Sequence, residues 1–165
     1  MNIVLLEPEI PHNTGAIGRT CSVTGSGLHL IRPLGFSTDE KHLKRSGLDY
    51  WHTLGIICHN GYIDFLAFMR ENHPGAKIWM ATTKAASSYA DAAYTMGDFI
   101  MFGKESAGIP EDILLKNLEN CVRVPMAPGS RSLNLSVSAG IILYEGLRQN
   151  GFPGLNRLGK FSGGL

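Results

Sequence analysis

The sequence predicts an α/β fold: one parallel β-sheet in a single domain, with helices on both faces of the sheet. Short apolar runs, typical of buried strands, alternate along the chain with segments of helical periodicity. This alternation is the pattern of parallel sheets, whose crossover connections cover the sheet with helices. A length of 165 residues favours one domain. We assign residues 1–158 to it and expect residues 159–165 to be a disordered tail.

The predicted strands are short runs rich in β-branched, leucine or aromatic residues, bounded by proline, glycine or polar residues. The first, "NIVLLEP", ends at Pro8. The six predicted strands span residues 2–8, 28–33, 53–59, 77–83, 98–103 and 121–125.

The predicted helices have an apolar face and end signals at one or both termini. Asn13 or Thr14 is expected to cap the first helix, because short polar side chains bond the free N–H groups there. The second helix has acidic residues first and basic residues last, as the helix dipole favours. Pro74 stops the third, and Gly151 closes the last. The predicted helices span residues 12–25, 37–47, 62–72, 110–118 and 132–149.

The composition excludes several classes of protein. Hydrophobic residues make up 44% of the chain and charged residues 18%, with a net charge of +1, so any nucleic acid must bind a local patch. The three cysteines are widely spaced without a CxxC motif, which predicts reduced thiols in a cytoplasmic protein. We predict no metal site, no signal peptide and no membrane-spanning segment.

Three consecutive predicted strands end in loops of small and polar residues. These loops are "ATTKAASS", "GKESAGIP" and "VPMAPGSRSLNLSVSAG". The carboxyl ends of parallel strands bind ligands in open α/β sheets, and small residues let a ligand approach the backbone. The loops therefore predict one pocket that contacts its ligand mainly through backbone groups. The sequence has no GxxxxGK[ST] motif and no GxSxG motif.

Two charged residues are candidates for this site, each with a simpler alternative. Glu105 is a site carboxylate, a satisfied surface acid, or a cap of the following turn. Arg19 has Gly15, Ala16 and Gly18 within a helical turn, which leaves its guanidinium uncrowded. It is either a phosphate clamp or an ordinary surface arginine.

A basic patch precedes a group of aromatic residues. Lys41, Lys44 and Arg45 come shortly before Tyr50 and Trp51. Bases beside aromatics bind single-stranded RNA by charge and stacking. The alternative is a solvated helix face followed by core aromatics.

Three motifs resemble the SPOUT class of RNA methyltransferases, and within it the bacterial tRNA 2′-O-methyltransferases of the wobble nucleotide. They are "EPEIPHNTGAIGRTC", "FIMFGKESAGIP" and "VRVPMAPGSRSLNLSVSAGIILYE", and the similarity runs from about residue 2 to residue 154. The resemblance implies a C-terminal deep trefoil knot, S-adenosylmethionine as methyl donor, tRNA as substrate, and a homodimer with the active site at its interface. Ala16 stands where the family commonly has a second asparagine.

The resemblance also implies roles for individual residues. Arg19, Asn134 and Tyr144 match catalytic positions. Asn13 matches a position associated with the active site and is expected to contact RNA. Independently of the resemblance, Lys41, Lys44 and Arg45 of the basic patch are also expected to contact RNA. The residues expected to bind the cofactor are Ala81, Thr82, Gly103, Glu105, Val124, Met126, Ser132 and Leu133. Arginine stays protonated in proteins, so either a substrate phosphate helps to remove a proton from Arg19, or Arg19 only positions and stabilises.

Three other functions remain open from the sequence. A ribose methyltransferase of another RNA, such as rRNA, would share every motif. A methyltransferase of bases would be expected to use an acidic general base in place of the Arg19 arrangement. A non-catalytic module that binds RNA or senses the cofactor would retain the fold without turnover.

Overall fold

The computed structural model describes residues 1–37 and 55–159 and contains one seven-stranded parallel sheet. The strand order is β3-β2-β1-β6-β4-β7-β5. The strands are β1 (Asn2–Leu6), β2 (Gly27–Ile31), β3 (Ile56–His59), β4 (Ile78–Ala81), β5 (Ser87–Ser88), β6 (Phe99–Phe102) and β7 (Cys121–Arg123). All six predicted strands are therefore present, and β5 is an addition. The predicted helix at 37–47, the aromatic group and the tail from residue 160 lie outside the described residues.

Four α-helices are described: α1 (Pro11–Thr24), α2 (Tyr62–Asn72), α3 (Glu111–Leu115) and α4 (Leu135–Gln149). The predicted cap of the first helix is wrong. Helix α1 begins at Pro11, with Ile10 at the N-cap position and no side-chain cap bond. Proline suits this first position because it has no N–H to satisfy. Asn13 therefore lies inside the helix, and its side chain is used elsewhere. Gly151 follows the end of α4 with a left-handed φ of 75°, as predicted.

The helices cover both faces of the sheet, as the sequence predicts. Alternate residues of β1 point to opposite faces. Ile3 and Leu5 pack in one core cluster with residues of α1 and α4, while Val4 and Leu6 pack in another with residues of α2 and α3. Because both faces of the central strands are buried, β1 and β6 read as continuous apolar runs.

A buried pair of histidines joins β2 to β3, away from the carboxyl ends of β4, β6 and β7. His29 and His59 are 2% and 3% exposed, and Nδ1 of His29 lies 3.0 Å from Nε2 of His59. The two rings stack, and Phe65, Phe68 and Phe99 surround them. Burial, followed by the nearby His59 and His73, lowers the pKa of His29 to about 4.

Candidate active site

A cavity of about 530 Å³ lies where the carboxyl ends of β4, β6 and β7 meet. In the sheet order, β4 lies between β6 and β7, so the three ends are neighbours. The cavity is lined by residues of the three loops that follow these strands, together with Ile10 and Asn13 near the start of α1. The sequence-based prediction that these loops form one pocket is confirmed. The volume is in the range of pockets that hold small molecules.

The loop after β6, residues 103–108, is closed by its own backbone. The Gly108 N–H donates to the Lys104 carbonyl at 2.8 Å, and the two residues form an isolated β-bridge. A Cβ at Gly103 would overlap the backbone of Gly108 and Ile109. Gly108 has a φ of 73°, which favours glycine. The tight loop therefore requires glycine at both ends.

The loop after β7 leads into α4 through a side-chain cap. Asn134 Oδ1 accepts hydrogen bonds from the backbone N–H of Ser136 at 2.9 Å and of Val137 at 3.3 Å. Loss of such a cap costs about 1 kcal/mol. The predicted start of this helix at residue 132 is therefore three residues early, because the backbone becomes helical only after Asn134. The capping role leaves the Nδ2 group of Asn134 free to bond elsewhere.

A chain of side-chain hydrogen bonds joins the last loop to the middle loop through α1. Asn134 Nδ2 donates to Asn13 Oδ1 at 3.0 Å, and Asn13 Nδ2 donates to Glu105 Oε1 at 3.0 Å. The Glu105 carboxylate also accepts from the backbone N–H of Glu9 at 2.9 Å and of Ile10 at 3.3 Å. Glu105 thus lies at the N-terminus of α1, where the helix dipole favours negative charge.

Most of the residues singled out in the sequence line this cavity. Asn13 and Asn134 line it, as do all eight positions expected to bind the cofactor: Ala81, Thr82, Gly103, Glu105, Val124, Met126, Ser132 and Leu133. The Glu105 carboxylate accepts hydrogen bonds from three groups beside the cavity, and its role in the site stays a prediction. Lys41, Lys44 and Arg45 lie outside the part of the chain that the structure describes.

Arg19 and Tyr144 do not line the cavity of the single chain. Arg19 is exposed on α1, six residues beyond Asn13, or about 9 Å along the helix axis. Tyr144 is 46% exposed on α4. Helices α1 and α4 pack on the same face of the sheet and contribute to one core cluster. Their outward faces also carry Val23 and Val137, which are 63% and 50% exposed.

Sequence reasoning missed a second set of contacts beside the cavity. Ser106 donates from its backbone N–H to Glu9 Oε2 and from its hydroxyl to Glu9 Oε1, each at 2.8 Å. Lys104 Nζ donates to Glu7 Oε2 at 2.6 Å. These residues fall within two of the quoted motifs, but no local pattern indicates that they pair across more than ninety residues of chain.

Within residues 1–37 and 55–159, no group of three or more His, Cys, Asp or Glu side chains is arranged to hold a metal ion. In the same residues, none of the helices combines the length and the hydropathy that a membrane crossing needs.

The fold and the cavity define a class of protein: a parallel α/β domain that builds its site from the loops after three adjacent strands. A model of the SpoU rRNA Methylase family matches residues 1–144. The chain belongs to this family, and the resemblance to RNA methyltransferases that the three motifs predict is confirmed.

Individual relatives cover nearly the whole chain. A protein of Listeria monocytogenes serotype 4b (strain F2365) is 48% identical over 157 residues, which is 93% of this chain and 90% of the relative. The tRNA (cytidine(34)-2'-O)-methyltransferase of Escherichia coli (strain K12) is 44% identical over 155 residues, covering 93% of this chain and 96% of the relative.

The fold is also similar to solved structures. A Bacillus anthracis protein is 41% identical with a TM-score of 0.86, covering 94% of this chain and 97% of the other. A structure from work on the 2-OH methylation of C/U34 on tRNA is 39% identical with a TM-score of 0.82, covering 91% and 95%.

Proposed function

We propose that this protein transfers a methyl group from S-adenosylmethionine to the ribose 2′-hydroxyl of the wobble nucleotide, position 34, of tRNA. The nucleotide is cytidine, a modified uridine or both. The observation that carries the proposal is the cavity, because one site contains all eight positions that the family resemblance marks for the cofactor. The names of the relatives, which specify cytidine 34 of tRNA, support the substrate.

The residues around the cavity suit S-adenosylmethionine. The walls combine apolar side chains, among them Ile109, Leu133 and Ile142, with backbone groups at the ends of three strands. The close approach of Gly103 to Gly108 keeps the loop after β6 narrow, and Gly103 and Glu105 of this loop would hold part of the cofactor. When bound, this cofactor supplies a methyl group on a positively charged sulfur, which needs alignment with the attacking oxygen more than further activation.

The chain's own contribution is to bind, orient and stabilise. Glu105, Asn13 and Asn134 hold the two glycine- and serine-rich loops against α1. Arg19, on the same helix, is proposed to bind a substrate phosphate with its planar guanidinium and so to place the ribose. Arg19 is exposed on α1, where its guanidinium can reach a bound RNA.

We further propose a homodimer whose active site lies at the interface between subunits. Arg19 and Tyr144 are exposed beside Val23 and Val137 on the outward faces of α1 and α4. Pairing of two such faces would bury this apolar surface and bring the α1 helix of one protomer to the cavity of its partner. The RNA surface is proposed to include Lys41, Lys44 and Arg45 of one subunit and Arg148 or Arg157 of the other.

The segment from β6 to α4 is proposed to form the deep trefoil knot that the family resemblance implies. Two observations support it: β4 lies between β6 and β7 in the sheet, and the loops after β6 and β7 line the same cavity. The methyltransferase domain is proposed to span residues 1–158, and the site of action is proposed to be the cytoplasm, where tRNA is modified.

The function is tested by incubating the protein with labelled S-adenosylmethionine and tRNA that lacks 2′-O-methyl groups, followed by alkaline digestion. A 2′-O-methyl group blocks cleavage of the next phosphodiester, so the label is expected in an alkali-resistant dinucleotide that contains the wobble nucleotide. Label in mononucleotides would mean base methylation and would contradict the proposal. Cofactor binding without label would point to another RNA, such as rRNA, or to a non-catalytic module.

A further inference from the structure

Two carboxylates join the segment before α1 to the loop after β6. Each carboxylate lies in one segment and accepts hydrogen bonds from the other segment. Glu9 donates its backbone N–H to the Glu105 carboxylate at 2.9 Å. In return, the Glu9 carboxylate accepts from both the backbone N–H and the hydroxyl of Ser106, each at 2.8 Å. Each segment therefore offers a carboxylate to the other. We call this set of contacts, formed by Glu9, Glu105 and Ser106, the carboxylate exchange.

The carboxylate exchange is separate from the contacts that close the loop. The 103–108 loop is closed by the Lys104–Gly108 bridge and by the fit of Gly103 against Gly108. Its internal shape therefore does not depend on Glu9. The contacts of Ser106 with Glu9 add to those of Glu105 with Ile10 and Asn13 in holding the loop against the start of α1.

The position of Glu9 is itself held by close backbone packing. A Cβ at Gly35 would lie 2.8 Å from the Glu9 Cα, and the Gly35 N–H donates to the Pro8 carbonyl at 2.9 Å. The Glu9 side chain, by contrast, does not line the cavity, whereas Ser106 does. Its hydrogen bonds with Ser106 lower the pKa of Glu9, so the carboxylate is ionised at neutral pH and accepts both bonds.

We propose that Glu9 is a positioning residue for methyl transfer, acting through Ser106 to hold the cofactor-facing loop in place against the start of α1. The inference rests on the proposed function and extends it to a residue outside the cavity. Transfer between aligned atoms is sensitive to displacements of about 1 Å, which can cost about a hundredfold in rate. A loop that keeps its shape but loses one of its anchors is expected to bind the cofactor somewhat more weakly and to transfer the methyl group more slowly.

The test compares Glu9→Ala, Ser106→Ala, the double variant and Glu9→Gln with the full-length wild-type protein. Glu71→Ala, on the exposed surface of α2, is the matched control for loss of one carboxylate. For each protein, kcat and KM are measured with tRNA and S-adenosylmethionine, the Kd of S-adenosylmethionine by calorimetry, and Tm by circular dichroism.

We expect Glu9→Ala to lower kcat by roughly tenfold and to raise the Kd of S-adenosylmethionine a few-fold, with Tm close to that of Glu71→Ala. Glu9→Gln is expected to recover most of kcat, because its amide can still accept from the Ser106 N–H. Ser106→Ala is expected to have little further effect once Glu9 is alanine, since the two side chains act as one unit.

The proposal would be overturned if Glu9→Ala had the kcat and Kd of the wild-type protein. It would also be overturned if the loss of kcat in the double variant were the product of the losses in the two single variants. A wild-type protein that methylates no tRNA would instead refute the proposed function. In that case the change in the Kd of S-adenosylmethionine alone still decides whether Glu9 positions the loop.

Discussion

Gly103 is a residue at which one added carbon atom is expected to weaken cofactor binding. In Gly103→Ala the new Cβ would overlap the backbone of Gly108 and Ile109, so the loop must open. We expect the Kd of S-adenosylmethionine to rise at least tenfold, since the cavity wall moves. Gly97→Ala is the control, because a Cβ there meets nothing within 4 Å. Calorimetry measures both variants, and equal affinity in the two would show that the loop tolerates the change.

Arg19→Lys tests what the guanidinium does beyond carrying charge. Lysine keeps the positive charge but cannot present the planar pair of N–H groups that suits a phosphate. We expect kcat/KM for tRNA to fall by more than about tenfold, with the Kd of S-adenosylmethionine unchanged because Arg19 is proposed to contact the substrate phosphate and not the cofactor. Near-normal turnover of the lysine variant would show that charge alone is sufficient.

At the scale of elements, the contact between β2 and β3 is expected to depend on pH. The pKa of His29 is about 4 in the folded protein, against an ordinary value of 6.5. The folded state therefore favours the neutral ring, and the contribution of neutral His29 to the free energy of unfolding is fully present above pH 6.5. Between pH 6.5 and 4, His29 is protonated in the unfolded chain but stays neutral in the folded chain. The free energy of unfolding therefore falls as the pH is lowered, by at most about 3 kcal/mol.

The measurement is an NMR titration of the histidine ring protons, supported by urea unfolding at several pH values. Asp64 faces His59 and opposes the lowering of its pKa, while the charge of His73 adds to the effect on His29. The His29 signal is expected to stay unchanged between pH 7 and 5. A His29 ring that titrates near pH 6.5 would contradict the prediction.

The elements themselves were largely predictable, whereas the contacts between them were not. Strands and helices follow from local hydrophobic patterns, and the gathering of the strand-end loops follows from the parallel sheet. Strand β5 was missed because Ser87–Ser88 is only two polar residues long. The bond of Asn13 to Glu105 spans 92 positions. Such a pairing depends on the order of strands in the sheet, which no local pattern specifies.

At the scale of the whole molecule, the proposed dimer makes a prediction about the outward faces of α1 and α4. Val137→Asp places a charge on this apolar surface, and burying an unpaired charge at an interface is costly. We expect the variant to sediment as a monomer and to lose methyl transfer. Ile63→Asp on α2, at a site that is 75% exposed, is the matched control and is expected to remain dimeric. A wild-type protein that is itself monomeric would contradict the proposed assembly.

The strand order also has a consequence for how the chain is made. Strand β6 lies between β1 and β4, although both of these are synthesised before it. A nascent chain that has reached β4 therefore lacks the partners of three strand edges, one of β1 and both of β4. Open edges attract other strands, and pairing between distant segments is slow. During emergence from the ribosome these edges are therefore open to pairing with other strands, and the cavity can form only after the chain has been translated as far as Ile142.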